Sequence, residues 1–377
     1  MIHFSTIPIA VGLFASSIRK TIPISLTSRQ SGTPTCLHSP LVTTLEQLVD
    51  CLKAYTVPHD YYNQVTYKEA QPTTEERLAW FDASASLLTV DRNCSLIILP
   101  SAIAGKYSIS LYIEHTGASY CVLSESRTHN GVYVKGWGLL VVPDSVDAVH
   151  RHLHISAPHP VWDSRTPAQA AALFGSIGAK SLLIPGRTRT AFMDPTNCVK
   201  GNSGQDIYHR TDPTHDTSEL FYETNKVINS WQTENGGCAS SSCAFIQFHG
   251  KSASTCSSDD IFLSTGLGRD SNSVDWYTNS VQRPVKRLKS QLEIEFPDWN
   301  ISLPSDSRCS LTATKNVVGR FLNGIDDTKV CEQASNANLA MGTFIHIEQA
   351  AVSREEKAYG GWTKALAETF DVVQVQI

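Results

Sequence analysis

The spacing of apolar residues divides the chain into segments of helical and strand character. Between residues 43 and 55, Leu45, Leu48, Val49 and Leu52 recur at the spacing of one helix face. Residues 75–88 are predicted to form a second helix. The pattern then changes to short β-like runs broken by Gly, His and Asn, at residues 95–99, 107–114, 120–123 and 138–142. These runs predict a small, mostly antiparallel subdomain in this part of the chain.

After residue 149, strand and helix patterns alternate. The predicted strands cover residues 152–157, 181–184, 243–248, 261–264 and 343–347. The predicted helices cover residues 166–178, 218–231, 285–296 and 355–370. The first of them has Thr166 as a candidate N-cap, Pro167 in its first turn and Gly178 at its end. Alternation of this kind predicts an α/β fold: a mixed, largely parallel sheet with helices on both faces, preceded by the small β-rich N-terminal subdomain.

These predicted elements divide the chain into three parts. Residues 1–40 are Ser/Thr/Pro-rich and are predicted to be a leader and an irregular arm. Residues 41–148 form the predicted N-terminal α+β subdomain, and residues 149–377 the predicted catalytic domain. The apolar run at residues 7–15 is typical of a cleaved signal peptide, although no Lys or Arg precedes it. No apolar run reaches the roughly 18 residues of a membrane-spanning helix, so no span is expected.

Composition narrows the function classes. Hydrophobic residues make up 41% and charged residues 18%, with a net charge of −5, which favours a packed core and provides no basic stripe for nucleic acid. The ten cysteines form an even set without a CxxC pair, which indicates structural disulfides in an oxidising compartment. Sequons begin at Asn93 and Asn300. We therefore expect a secreted, disulfide-bonded glycoprotein whose cysteine pairing and oligomeric state stay open.

Polar side chains follow four of the predicted strands in the second half of the chain. In an α/β sheet, loops at the carboxyl ends of strands converge on the active site. The residues concerned are His159 and Asp163 after the first strand, Arg187 and Arg189 after the second, His249 after the third, and Glu348 after the fifth. Each has an ordinary alternative as a turn, cap or ion-pair residue, but together they indicate a site.

The residue types favour zinc chemistry. A catalytic Zn²⁺ takes about three protein ligands of N or O type and keeps one position open. His159, Asp163 and His249 are the candidate ligands. Glu348 is the candidate general base, and Arg187 and Arg189 are candidates to bind a substrate carboxylate or a developing oxyanion.

Two further groups of histidines leave alternatives open. His215 lies just before the predicted helix 218–231, where it is a further metal ligand, a substrate contact or an ordinary loop residue. His152 and His154 alternate with Leu153 along one strand and share a face, for which a structural role is favoured.

The order of these site residues resembles that of the zinc carboxypeptidase and aspartoacylase superfamily, over roughly residues 150–370. Enzymes of that superfamily carry a His and an acid after one strand, Arg or Asn after the next, a second His after a central strand and a catalytic Glu late in the chain. The resemblance implies hydrolysis of an amide bond, less often an ester, in a small-molecule or peptide substrate that bears a carboxylate. The chain departs from the His-x-x-Glu motif, because His159 and Asp163 are separated by one residue more. His215 is the substitute ligand if Asp163 does not reach the metal.

Other function classes fit less well. No Gly-x-Ser-x-Gly nucleophile elbow and no P-loop occurs in the sequence. A non-catalytic secreted protein that binds cell walls or glycans stays open, because seven Trp and twelve Tyr are scattered along the chain. A metal-dependent phosphoesterase also stays open, although it usually needs two metals and more ligands.

Overall fold

Helices account for much of the chain described by the computed structural model, which covers residues 31–201 and 207–373. The predicted signal run at residues 7–15 lies outside these described residues. The α-helices are α1 (Leu45–Lys53), α2 (Gln64–Ala70), α3 (Thr74–Leu88), α4 (Thr166–Ser176), α5 (Leu220–Glu234), α6 (Ser271–Thr278), α7 (Pro284–Glu295), α8 (Val317–Leu322) and α9 (Tyr359–Thr369).

Strands in the described residues form one large and one small sheet. They are β1 (Ser31–Gly32), β2 (Tyr107–Ile113), β3 (Ser119–Glu125), β4 (Thr128–His129), β5 (Val132–Tyr133), β6 (Leu139–Pro143), β7 (Arg151–Ser156), β8 (Ala179–Ile184), β9 (Cys243–Gly250), β10 (Ile261–Ser264), β11 (Ile301–Ser302) and β12 (Phe344–Gln349). Strands β1, β4 and β5 form the small antiparallel sheet.

The large sheet has nine strands in the order β11-β10-β12-β9-β7-β8-β6-β3-β2. Its central strands β12, β9, β7 and β8 run parallel to one another. Strand β10 is antiparallel to β12 on one side, and β6, β3 and β2 are antiparallel on the other. The predicted α/β fold with a mixed sheet is confirmed, and its parallel part is the centre.

Helices cover both faces of this sheet because its strands bury side chains on both sides. On β9, Ile246 and Phe248 belong to one apolar core, which they share with residues of α4, α7 and α9. Phe245 points to the other face and belongs to a second core, shared with residues of α3, α5 and α8. Since side chains alternate along a strand, His249 lies on the same face as Phe245.

The antiparallel strands of the N-terminal half join the same sheet. Leu139 on β6 pairs with Ile184 on β8, so hydrogen bonding continues from the parallel strands to β6, β3 and β2. The predicted boundary between residues 148 and 149 is therefore not a break in the sheet. The three-part division at residues 40 and 148 stays a prediction as a description of domains.

Two local predictions need correction. Residues 95–99 do not form a strand: a 3₁₀ turn at Cys94–Leu96 is followed by irregular chain, and Leu96 and Ile98 are 75% and 91% exposed. An apolar run forms a strand only when a neighbour supplies ladder hydrogen bonds, and no strand of the described residues pairs with residues 95–99. At α4 the N-cap is Arg165, not Thr166, whose hydroxyl donates to the Asp163 carbonyl at 2.7 Å.

All ten cysteines are paired, which confirms the predicted structural disulfides. The pairs are Cys36–Cys51, Cys94–Cys121, Cys198–Cys331, Cys238–Cys243 and Cys256–Cys309. Both sequon asparagines, Asn93 and Asn300, are exposed, and their glycosylation stays a prediction. Among the described residues, no helix combines the length and apolar character needed to cross a membrane.

Candidate metal centre

A single backbone turn after β7 brings His159 and Asp163 together. The Asp163 amide donates to the His159 carbonyl at 3.0 Å, which closes one helical turn. Side chains four residues apart on such a turn lie on the same side. The His159 Nδ1 is 3.2 Å from Asp163 Oδ2, and each residue is 4% exposed. This turn explains how a spacing one residue longer than His-x-x-Glu still pairs the two side chains.

His249, near the carboxyl end of β9, completes a compact set of donor atoms. Its Nδ1 lies 3.2 Å from Asp163 Oδ2 and 3.2 Å from the Nδ1 of His159. The His249 Nε2 is buried and has no hydrogen-bond partner among the described residues. The imidazoles of His159 and His249 thus direct two nitrogens and Asp163 one oxygen at the same point.

The spacing of these three donors suits a zinc ion. Zn²⁺ binds nitrogen and oxygen ligands at about 2.0–2.1 Å, so neighbouring ligands of a tetrahedral site are about 3.3 Å apart. The three observed separations are each 3.2 Å. The three contacts are poorly arranged for hydrogen bonding, because the two Nδ1 atoms face one another and both contact the same carboxylate oxygen. His159, Asp163 and His249 therefore fit a cation better than they fit a closed hydrogen-bond network.

Asp212 orients the ring of His159. Its Oδ1 lies 3.3 Å from the Nε2 of His159, on the far side of the ring from Asp163. A carboxylate only accepts, so Nε2 carries a proton, and a cation that replaces the second proton of the ring would meet an Nδ1 lone pair directed at the site. Carboxylates commonly hold metal-binding histidines in this way. Asp212 was not predicted: it lies in the long connection between β8 and α5, where no periodic pattern singles it out.

The charges around His159 favour a positive group at the centre. Burial lowers the pKa of His159, but Asp163 and Asp212 outweigh it and raise this pKa to about 9. Burial alone would raise the pKa of Asp163, yet the neighbouring histidines hold it below its usual range. The pKa of His249 is lowered by burial, which favours the neutral, metal-binding form of its ring. The site thus holds two carboxylates that attract a cation and a neutral imidazole that can ligate it.

Glu348 enters the site from β12. In the parallel pairing of β12 with β9, Glu348 lies directly opposite His249. Its side chain is 12% exposed, and its Oε1 is 3.5 Å from His346 Nε2. Burial and the nearby Asp163 raise the pKa of Glu348 to about 8. A carboxylate with such a pKa, at the edge of the donor set, is suited to accept a proton near neutral pH.

His346 lies next to both Glu348 and His249. Its ring centre lies 4.5 Å from that of His249, and its Nδ1 is 3.4 Å from the Ser264 hydroxyl. His249, His346 and Glu348 also form a group whose ligand atoms lie within 4.8 Å of one another. Because this second group shares His249 with the first, it extends the same centre.

His215 lies beside Asp212 and Tyr208. His215 Nδ1 contacts Asp212 Oδ2 at 3.0 Å, and its ring stacks on Tyr208 at 3.6 Å between ring centres. His215 is therefore outside the donor set, which Asp163 completes.

Arg187 is buried in the protein interior. Its guanidinium donates to Glu219 at 2.8 Å and to the carbonyls of Ala70 and Lys135, with 1% of the residue exposed. This geometry speaks against the predicted substrate contact by Arg187 and indicates a structural ion pair. Arg189, two residues on, lines the cavity at the donor set and lies over the Trp162 ring at 5.6 Å.

A cavity of about 450 Å³ opens over these residues. The predicted residues that line it are His159, Asp163, Arg189, His215, His249 and Glu348. Lys251, directly after β9, lines it as well and was not predicted. The structure thus brings six of the seven predicted site residues to one cavity and leaves Arg187 outside it.

The comparisons with known proteins find a distant likeness among solved structures. No protein-family model matches the chain, and no curated protein sequence matches it. Among solved structures, the chain is similar to succinylglutamate desuccinylase from Vibrio parahaemolyticus, with a TM-score of 0.34 and 13% sequence identity. The match covers 70% of this chain and 78% of the other.

Proposed function

We propose that this chain is a zinc-dependent hydrolase that cleaves an amide bond in a substrate bearing a carboxylate. The observation that carries the proposal is the set of three buried donor atoms, on His159, Asp163 and His249, each 3.2 Å from the other two. A cavity beside them admits a substrate, and a carboxylate with a raised pKa lines it.

In this proposal His159, Asp163 and His249 would hold a zinc ion, which would polarise a substrate carbonyl and lower the pKa of a water molecule. Glu348 would accept a proton from the attacking water and return it to the leaving amine. Asp212 keeps the His159 ring in the tautomer and orientation that the site needs.

Arg189 provides the substrate contact. Its guanidinium lines the cavity, and it forms no hydrogen bond or salt bridge with any of the described residues. It is therefore available to bind a carboxylate, for which the planar guanidinium provides two parallel donors. Binding at this position holds the scissile carbonyl near Glu348.

Metal removal tests the proposal directly. We expect the purified protein to contain close to one equivalent of zinc and to hydrolyse an N-acyl amino acid. A chelator should abolish the hydrolysis, and added Zn²⁺ should restore it. Protein that binds no zinc, or that cleaves a phosphate ester instead of any amide after zinc loading, contradicts the proposal.

The proposed location is extracellular. Disulfides persist in oxidising compartments and are rare in the cytosol. Five of them join the ten cysteines of this chain, and both sequon asparagines are exposed. Recovery of the protein from the culture medium of its native cells, with glycan on Asn93 or Asn300, tests this part of the proposal.

A further inference from the structure

His346 is a buried histidine that the proposed hydrolysis does not use. It precedes Glu348 by two positions on β12, so the two side chains lie on the same face of the sheet. The residue is 5% exposed. Its Nδ1 is 3.4 Å from the Ser264 hydroxyl, and its Nε2 is 3.5 Å from Glu348 Oε1. Both distances exceed the roughly 2.7–3.2 Å of an ordinary hydrogen bond from nitrogen, so the protein satisfies neither ring nitrogen well.

Glu348 has a similar shortage of partners. Its side chain is 12% exposed. Within the described residues, no N–H or O–H group donates a hydrogen bond to its carboxylate, and the ion-pair contact that the structure gives it is the long one to His346. A buried carboxylate is stable only when hydrogen bonds, an ion pair or a metal compensate the loss of water. His346 and Glu348 are therefore both available to a further ligand.

The ring of His249 brings a third donor to this pair. Its Nδ1 belongs to the first donor set, with His159 and Asp163, whereas its Nε2 is buried and has no hydrogen-bond partner among the described residues. The ring centres of His249 and His346 are 4.5 Å apart. Ligand atoms of His249, His346 and Glu348 all lie within 4.8 Å of one another. Two imidazole nitrogens and one carboxylate oxygen are again the donor types that a zinc-type cation prefers.

The cavity gives this second group access to solvent, because all three of its residues line it. Neighbouring ligands of a tetrahedral zinc ion are about 3.3 Å apart. The first donor set matches this spacing at 3.2 Å, whereas the atoms of the second group lie only within 4.8 Å of one another. The cations Arg189 and Lys251 line the same cavity and repel a second metal ion. We therefore expect the second group to hold a cation more weakly than the first.

We propose that His249, His346 and Glu348 form a second, weaker site for a divalent cation of the zinc type, next to the first donor set. The two sites share His249: its Nδ1 binds the first cation and its Nε2 the second, whose arrival releases the Nε2 proton to solvent. This inference rests on the metal centre of the proposed function and adds a site that the hydrolysis does not need. While the second site is empty, Glu348 is free to accept a proton.

Titration of the metal-free protein with Co²⁺ tests the inference, because cobalt accepts the same nitrogen and oxygen ligands and its visible absorption reports on them. Calorimetry measures the stoichiometry. We expect two equivalents to bind, the second about 10- to 1,000-fold more weakly than the first. Addition of the second equivalent should also change the absorption of the first, since both cations bind the ring of His249.

Variants of the second site should lose one equivalent only. We expect His346→Phe to remove the second equivalent and to leave the affinity for the first unchanged. Glu348→Gln, which keeps the size of the side chain, should do the same, and circular dichroism checks that both variants are folded. His154→Gln is the matched control, because His154 is buried on the same face of the sheet but its ring nitrogens contact Ser181 and Gln232. It should bind both equivalents.

Saturation of the unaltered protein at one equivalent overturns the inference, as does binding of a second equivalent by both His346→Phe and Glu348→Gln. Loss of both equivalents in folded His346→Phe also overturns it, because His346 would then belong to the first site. One equivalent together with amide hydrolysis keeps the proposed function and removes only the second site. Two equivalents without hydrolysis of any amide support the second site and contradict the hydrolase function.

Discussion

Two groups of buried histidines lie on the same face of the sheet and differ in the partners of their ring nitrogens. His154 Nε2 donates to Gln232 Oε1 at 3.0 Å, and its Nδ1 lies 2.8 Å from the Ser181 hydroxyl, so both nitrogens are satisfied by neutral groups. At the candidate metal centre, the Nδ1 atoms of His159 and His249 face one another, and the His249 Nε2 has no hydrogen-bond partner in the described part of the chain.

This difference shows that burial and residue type alone do not identify a metal site. His154 and His249 are equally buried, at 3% exposed. Burial lowers the pKa of His154 to about 3, and its two hydrogen-bond partners among the described residues are uncharged, so it is a neutral core residue. His159 has two carboxylates, and its pKa is raised to about 9. Acidic partners and unpaired lone pairs are what distinguish the second group.

Exchange of one histidine in each group should separate metal binding from folding. We expect His249→Ala to lose bound zinc and all hydrolysis while the fold is kept, because it removes a ligand. His154→Ala should keep zinc but lower the free energy of unfolding by about 2–4 kcal/mol, since Ser181 and Gln232 lose their partner. Metal analysis and chemical denaturation measure both effects. If His249→Ala unfolds and His154→Ala loses zinc, the comparison is wrong.

Replacement of the general base should separate chemistry from metal binding. We expect Glu348→Gln to retain zinc and to lower kcat by about 10²- to 10⁴-fold, the usual contribution of general acid–base catalysis. The measurement is steady-state turnover of an N-acyl amino acid at matched zinc content. Turnover close to that of the unaltered enzyme would remove Glu348 from the mechanism.

The pH dependence of stability should single out His154. Its pKa is about 3 in the folded protein and 6.5 in an ordinary environment, so between these values the unfolded chain binds one more proton. The contribution of His154 therefore lowers stability as the pH falls below 6.5, by about 2 kcal/mol between pH 6.5 and 4.5. In His154→Gln this acid-induced loss should be smaller by about that amount. Denaturation curves at both pH values test this, with the exposed His38→Gln as control; identical losses in all three proteins contradict it.

Of the four changes predicted in this comparison, removal of the charge of Asp212 should have the smallest effect. We expect Asp212→Asn to weaken zinc affinity by about 10- to 100-fold, the usual range for a partner of a ligating histidine. Competition with a chelator measures the affinity. Asp216→Asn is the control, because Asp216 lies in the same loop and contacts Thr196 and Ser218 instead of His159. Equal affinities of the two variants would show that Asp212 does not support the site.

Much of the centre was predictable because it lies at the ends of strands. His159, Asp163, His249 and Glu348 follow or end apolar runs, and the carboxyl ends of β7, β9 and β12 meet at one edge of the sheet. The separate roles of the two nearby arginines were not predictable. Arg187 and Arg189 differ only by two positions, and the position of Glu219 decides that the first is buried in an ion pair.

The sequence by itself determined the α/β pattern, the helical periodicities, the even cysteine set and the residues that end the central strands. Each of these depends on neighbours along the chain or on composition. Only the tertiary structure decided that Asp212 contacts His159, that Lys251 lines the cavity and which cysteines pair. Those outcomes depend on the path of long loops and on partners far away in the sequence, which local pattern does not encode.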